Sequence, residues 1–230
     1  LNTWADRYTN REVTGTAQKV FDKFNFAQSI TYKQDSVAKY DAQFRLQKED
    51  GKVVKEVNYP VYFKNIPENK KPADGETVSL WATNLSQSIN PGWVIILTPL
   101  VVAFFTFLRS RKKEPSTPTK IAFGLLISAL SVLVMIAAVN MGANGSEKVS
   151  VWWLVANYGV ITIGELFLSP MGLSVVSKLS PTNITSLMMG GWFLSTSIGN
   201  KLSGVLASLW DTYDNKQDFF WINFGLLMFA

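Results

Sequence analysis

"ITIGELFLSPMGLSVVSKLSP", residues 161–181, sets one carboxylate, Glu165, inside a run that is otherwise largely apolar. The run extends from about Val151 to Ser177, and crossing a bilayer takes roughly 20 predominantly apolar residues. A carboxylate near the middle of such a span costs about 2.5 kcal/mol or more unless something compensates it. The stretch therefore assigns the chain to the membrane class and marks Glu165 as its first candidate functional residue.

Further spans lie on both sides. They cover about Leu80–Leu108, Thr119–Met141 and Ile184–Trp210, and another apolar run opens at Phe219 and stops at Ala230. Short connections join them, as an up-and-down helical bundle requires. The start at Leu1 and the stop within the last apolar run read as the ends of a fragment of a longer membrane protein. Residues 1–10 read as the polar end of a helix that begins upstream. Residues 11–78 read as a soluble insertion. Its clearest element is "YDAQFRLQKEDGKVVKEVNYPVYF", two alternating runs around the turn residues of "EDGK". Before it, "TAQKVFDKFNFAQSI" has the pattern of a short amphipathic helix, and "NIPENKKPADGET" is loop.

Composition supports this division. Of 230 residues 47% are hydrophobic, with charges dense between Asp6 and Glu76 and sparse after Lys120. The net charge of +5 comes from basic residues spread over the soluble stretch or gathered at one helix end. That distribution follows membrane topology rather than a nucleic-acid surface, so no nucleic-acid partner is expected. Arg109, Arg111, Lys112, Lys113 and Lys120 crowd one short loop, and Lys178 follows the third span, whereas the alternate loops carry only Lys148 and Lys216. By the positive-inside rule the loop 109–120 is cytoplasmic and the insertion 11–78 extracytoplasmic. The chain has neither Cys nor His, which removes thiol chemistry, the usual proton switch and the commonest zinc ligand. No metal or cofactor is expected, and no acid/base pair within the spans suggests an enzyme. Any proton chemistry rests on carboxylates.

The spans differ in what they carry. At 100° per residue Tyr158, Thr162, Glu165, Ser169 and Gly172 fall in one stripe of the third span, and Pro170 removes a backbone donor beside it, which should bend the helix and free a carbonyl. A polar stripe of this kind suits a water-filled cavity; a structural carboxylate paired inside a packed bundle is the other reading of Glu165. The second span holds nothing more polar in its middle than Ser128 and Ser131 and reads as a peripheral, lipid-facing helix. The fourth is rich in Gly, Ser and Thr, which favour close helix approach. Trp192 and Thr196 share one of its faces, and Lys201 lies on the opposite one. In the first span Asn90 precedes Pro91, so a polar amide is expected beside a helix break.

"WADRYTNR", "QSINP", "GELFLSPMGLSVVSKLSP", "LMMGGWFLSTSIGNKLSG" and "FFWINFGLL", in this order, resemble the proton-dependent oligopeptide transporter family of the major facilitator superfamily. The resemblance covers residues 1–11 and 80–230. It implies an all-α polytopic membrane protein, the C-terminal six-helix half of such a transporter from the end of helix seven to the start of helix twelve. Residues 1–10 would end helix seven, 11–78 would be a small, partly β extracytoplasmic insertion longer than the family's usual connection, and 79–230 would hold helices eight to twelve. The implied function is proton-coupled uptake of di- and tripeptides by alternating access across the cell (inner) membrane. Peptide, protons, the bilayer and the N-terminal half of the same protein are then the partners. By position Glu165 resembles the helix-ten carboxylate that faces the peptide amino terminus, and Asn90 the helix-eight amide that hydrogen-bonds the peptide. Ser169 resembles a pocket residue one turn on, and Trp192 a helix-eleven aromatic of a side-chain pocket. Tyr158 completes the substrate-binding set. The family's E-x-x-E-R motif, its carboxylate clamp and its helix-seven acid are not in these residues. The residues themselves also leave open a carrier of nitrate or another small solute, and a polytopic receptor or scaffold.

Overall fold

The computed structural model describes residues 1–41 and 45–229, and the chain is mostly helical. It divides into two compact units. The first comprises Leu1–Ile89, Ala137–Val155 and Asp214–Gln217, the second Asn90–Ile136, Ala156–Tyr213 and the chain from Asp218.

In the first unit, helix α1 (Asn2–Arg7) stacks Trp4 on Tyr8 at 4.8 Å, both buried. Helix α2 (Gly15–Lys23) is shorter than the amphipathic pattern suggests. Asn25 enters the left-handed region at φ 54°, which ends the helix, and β1 (Ala27–Thr31) then pairs antiparallel with β6 (Thr77–Trp81). Two small antiparallel ladders lie between them in sequence: β2 (Asp35–Ala38) with β5 (Lys55–Asn58), and β3 (Lys48–Glu49) with β4 (Lys52–Val53). The β3–β4 turn is the "EDGK" hairpin, with Asp50 and Gly51 both at positive φ, as a two-residue type I′ turn demands. Residues 42–44 of the expected first run lie outside the described residues.

The apolar core of this unit is aromatic. Tyr32, Tyr62, Phe63, Ile66 and Leu80 are buried together, and Tyr32 stacks on Tyr59 at 4.1 Å. Arg11 is almost fully buried beside them. Its guanidinium donates to the Trp81 carbonyl and to Asp6, each at 3.0 Å, so a buried charge is paired as it must be. Asn65 donates to the carbonyls of Arg7 and Gly145. A Cβ on Gly145, whose φ is +89°, would overlap the Tyr8 ring. The segment around Asn65, the end of α1 and the loop after Met141 thus pack together.

Lys148 belongs to the same contact. Its ammonium donates to the Arg7 carbonyl at 3.2 Å and lies 4.0 Å from the centre of the Tyr62 ring. Burial, reinforced by the charge of Arg11, pulls its pKa down to about 7, against the opposing pull of Asp6 and Glu12.

Helix α3 (Leu85–Ser110) begins after β6, so the expected span start at Leu80 moves: Leu80 and Trp81 are strand residues. It also runs unbroken through Pro91 and Pro99, which corrects the expected break at Asn90. Membrane helices keep such prolines because neighbouring groups re-satisfy the freed backbone. Likewise α5 (Trp152–Leu179) stays helical through Pro170. Helices α4 (Thr117–Met141), α6 (Thr185–Ser208) and α7 (Lys216–Phe229) complete the set. Among the described residues α3, α4 and α5 are long and apolar enough to cross a membrane.

The second unit is organised on α5. Gly164 meets α4 so closely that a Cβ there would overlap the Ser128 hydroxyl and sit 2.8 Å from the Gly124 carbonyl oxygen. Helix α3 reaches α5 through Phe105 on Phe167 at 4.9 Å and through Trp93 on Gly159. Burial follows: 39% of the apolar stretch of α4 is buried, against 22% for α5 and 0% for α3. The serines and the glycine of α4 allow this close packing.

Two measurements check these contacts. Gly164→Ala should lower stability by about 1–3 kcal/mol through overpacking, read as a reduced melting temperature, while Gly190→Ala, with nothing within 4 Å, should not. Lys148 predicts a pH effect. Between its folded pKa of about 7 and its ordinary 10.5 the unfolded chain binds the extra proton, so this group makes stability rise with pH across that window and adds no slope below it. Lys148→Met should remove that part of the slope of melting temperature against pH.

Candidate functional site

Glu165 lies on α5, the helix that α3, α4 and α6 all touch within the second unit. The stripe geometry holds: Tyr158, Thr162, Glu165, Ser169 and Gly172 recur at helical spacing along one continuous helix. Tyr158, Thr162 and Gly172 are buried, Glu165 is partly buried, and Ser169 is exposed.

What compensates the carboxylate is a neutral amide. Asn90, in the second turn of α3, donates from Nδ2 to Glu165 Oε2 at 3.1 Å. The Thr162 hydroxyl lies 3.1 Å from Asn90 Oδ1 and 2.6 Å from the Tyr158 carbonyl oxygen, and donates into this pair of acceptors. Together these contacts fix the amide: turned over, Asn90 would point its oxygen at the carboxylate and its NH₂ at the Thr162 hydroxyl. Glu165 makes no ion pair among the described residues, and no hydrogen bond there reaches its second oxygen, Oε1. The Glu165 carboxyl group is thus oriented through one oxygen by a neutral amide.

The five residues expected at the site divide. Asn90, Glu165 and Tyr158 come together around Thr162. Ser169 stands one turn further along α5, with no hydrogen bond to the cluster among the described residues. Trp192, on α6, packs its indole against Gly172, where any Cβ would overlap the ring. Gly172 is seven residues past Glu165, about 10 Å along the axis. Trp192 is therefore next to the stripe but two turns from the carboxylate. Thr162 was visible in the stripe, three residues before Glu165, yet only its contact with α3 reveals what it does.

Comparison with known proteins places this arrangement. The family model described as the POT family matches residues 82–222, more than half of the chain. The chain belongs to the POT family. Among curated relatives, dipeptide and tripeptide permease A of Proteus mirabilis (strain HI4320) is 36% identical over 132 residues, covering 57% of this chain and 26% of the relative. The permease of the same name from Escherichia coli (strain K12) is 35% identical over the same shares. An uncharacterized transporter, YclF, of Bacillus subtilis (strain 168) is 34% identical over 125 residues, 54% of this chain and 25% of that protein. The chain thus spans about a quarter of the length of the curated relatives it matches. Solved structures agree. A mutant of the peptide transporter POT is 32% identical with a TM-score of 0.58, over 65% of this chain and 29% of the other. A POT family transporter in complex with a thioalcohol conjugated peptide is 26% identical with a TM-score of 0.59, over 74% and 34%. As a POT family member with apolar spanning helices, the chain is part of a membrane protein.

The Thr162–Asn90 contact in this POT chain is open to a double-mutant cycle. Thr162→Val and Asn90→Ala, singly and together, should show a coupling of about 0.5–1.5 kcal/mol in thermal stability. Strict additivity would mean that the hydroxyl and the amide do not meet.

Proposed function

We propose that the protein containing this chain is a proton-coupled carrier that takes up di- and tripeptides by alternating access. Family membership supports the reading, as do relatives named permeases and transporters rather than enzymes. The observation that carries it is Glu165, a carboxylate in a membrane-length helix, held by Asn90 and without an ion pair among the described residues.

In this reading the peptide's ammonium is the missing cation. It binds Glu165 at Oε1 while Asn90 keeps Oε2, so the carboxylate is already oriented when the ligand arrives. Removed from water, such a pair attracts far more strongly than at a surface. Asn90 has a second amide hydrogen to offer a peptide carbonyl, Tyr158 and Ser169 line the path on either side of Glu165, and the Trp192 indole gives apolar area to a peptide side chain. Residues 1–10 end helix seven, 11–78 form an extracytoplasmic insertion, and 79–230 supply helices eight to twelve of the C-terminal half. The loop 109–120 is cytoplasmic in the cell (inner) membrane. The N-terminal half of the protein completes the cavity, and protons drive uptake.

Glu165→Gln in the full-length protein tests the central contact. It keeps the shape and loses the charge, so binding of a free dipeptide should weaken by about 2–5 kcal/mol. Wild type should discriminate strongly against the same dipeptide with an acetylated amino terminus, and the variant should bind both about equally poorly. If the variant keeps the preference for the free amine, or changes only in melting temperature, Glu165 is a structural carboxylate instead.

A further inference from the structure

The second unit gathers basic residues where two helices end and a third begins. Helix α3 carries Arg109 in its last turn, α4 opens at Thr117, and α5 carries Lys178 in its last turn. Between them lies a cleft of about 470 Å³, with Arg109, Lys120 and Lys178 in its walls beside one carboxylate, Glu114. All of these residues belong to the second unit, so the cleft is formed within one compact body.

Glu114 is already engaged. Its Oε2 accepts from Arg109 Nε at 2.8 Å, and its Oε1 accepts from Arg109 Nη2 at 3.1 Å and from Lys120 Nζ. Those hydrogen bonds hold its pKa down to about 2, so it is ionised at neutral pH and shared between two cations. Lys120 is buried, with its ammonium 4.5 Å from the centre of the Phe105 ring, which fixes its place. Lys178 is exposed and makes no ion pair among the described residues. Along α3, α4 and their connection Glu114 is the only acid. The one acid of α5, Glu165, lies roughly 20 Å along the helix axis from Lys178. Three cations against one carboxylate therefore leave the cleft with a surplus of positive charge. Its other polar walls suit an oxyanion. Ser116, Thr117 and Ser174 bring hydroxyls to it, and the N-terminus of the 25-residue α4 adds the positive end of a helix dipole. Orienting a membrane protein needs positive charge in a loop, but not its convergence on a concavity with hydroxyls and a helix N-terminus.

We propose that this cleft binds a phosphate group, carried by free phosphate or by an anionic phospholipid headgroup, with Arg109 and Lys178 as its charged contacts. Arg109 commits Nε and Nη2 to Glu114 and keeps Nη1 for the ligand. Charge-assisted hydrogen bonds of this kind are the strong ones, and guanidinium suits phosphate oxygens in particular. The hydroxyls of Ser116, Thr117 and Ser174 donate to the remaining oxygens. Lys120 stays on Glu114 and holds that carboxylate away from the anion. A phosphate so bound ties the ends of α3 and α5 to the start of α4. The inference concerns residues of this chain alone, and it stands whether or not Glu165 binds peptides.

The full-length protein in an uncharged detergent provides the test, read as melting temperature. One titration compares inorganic phosphate with sodium chloride at equal ionic strength, and a second compares phosphatidylglycerol with phosphatidylcholine. Wild type should gain stability saturably from at least one phosphate source. A response to inorganic phosphate identifies a free anion, and a response to phosphatidylglycerol alone identifies the lipid headgroup. Lys178→Gln and Arg109→Gln should raise the half-saturating concentration several-fold, and Lys178→Arg should keep it near wild type. Lys113→Gln removes the same charge from the same loop outside the cleft lining, and should leave binding unchanged. No response beyond the chloride and phosphatidylcholine controls would overturn the proposal, as when another part of the protein fills the cleft. Equal weakening by Lys113→Gln would overturn it too, in favour of diffuse loop charge. Arg109→Gln also strips Glu114 of a partner, so if that variant does not fold, the Lys178 pair of variants decides.

Discussion

A carboxylate inside an apolar helix has to be compensated, and the Asn90–Glu165 hydrogen bond is where this chain does it. The bond joins α3 to α5 at the point where both would otherwise face lipid or each other through apolar side chains alone. A neutral amide orients an anion without cancelling it. Thr162 sharpens the arrangement by fixing which way the amide faces.

That bond depends in turn on how α5 is packed. Helix α4 comes close because Gly124, Ser128 and Gly164 leave no side chain between the backbones. Without a hydrophobic driving force between helices in lipid, such contacts rely on close van der Waals approach. Trp93 and Phe105 of α3 lie on α5 at Gly159 and Phe167, on either side of Glu165 in sequence, and so hold the two helices together around Asn90. Trp192 uses the same device two turns on, filling the space that Gly172 leaves. Glycine here is a matter of room and not of backbone freedom, since these positions are ordinary helix.

The first unit follows a different logic. It is stabilised by stacked tyrosines, a buried and paired Arg11 and short ladders, and it gathers several helix ends. The loop after Met141, the first residues of α5 and the segment 214–217 all belong to it. Asn144 links two of them, donating to the Asp214 carbonyl and accepting from the Lys216 N–H.

Local chemistry determined much of this in the sequence alone. Length and hydropathy marked the apolar helices, helical spacing aligned Tyr158, Thr162, Glu165 and Ser169, and "EDGK" specified its own turn, because each depends on residues close in the chain. Only the tertiary structure decided the rest. Asn90 finds Glu165 across 75 positions. The strand after Asn25 exists because residues 77–81 pair with it, although the local pattern continues a helix. Whether α4 or α3 is covered depended on which neighbours exploit the small residues of α4, and its bland apolar composition could not say. Helix α3 passes through Pro91 because its surroundings tolerate the lost hydrogen bond. In each case the outcome was set by packing between segments far apart in sequence, a term that no local window contains.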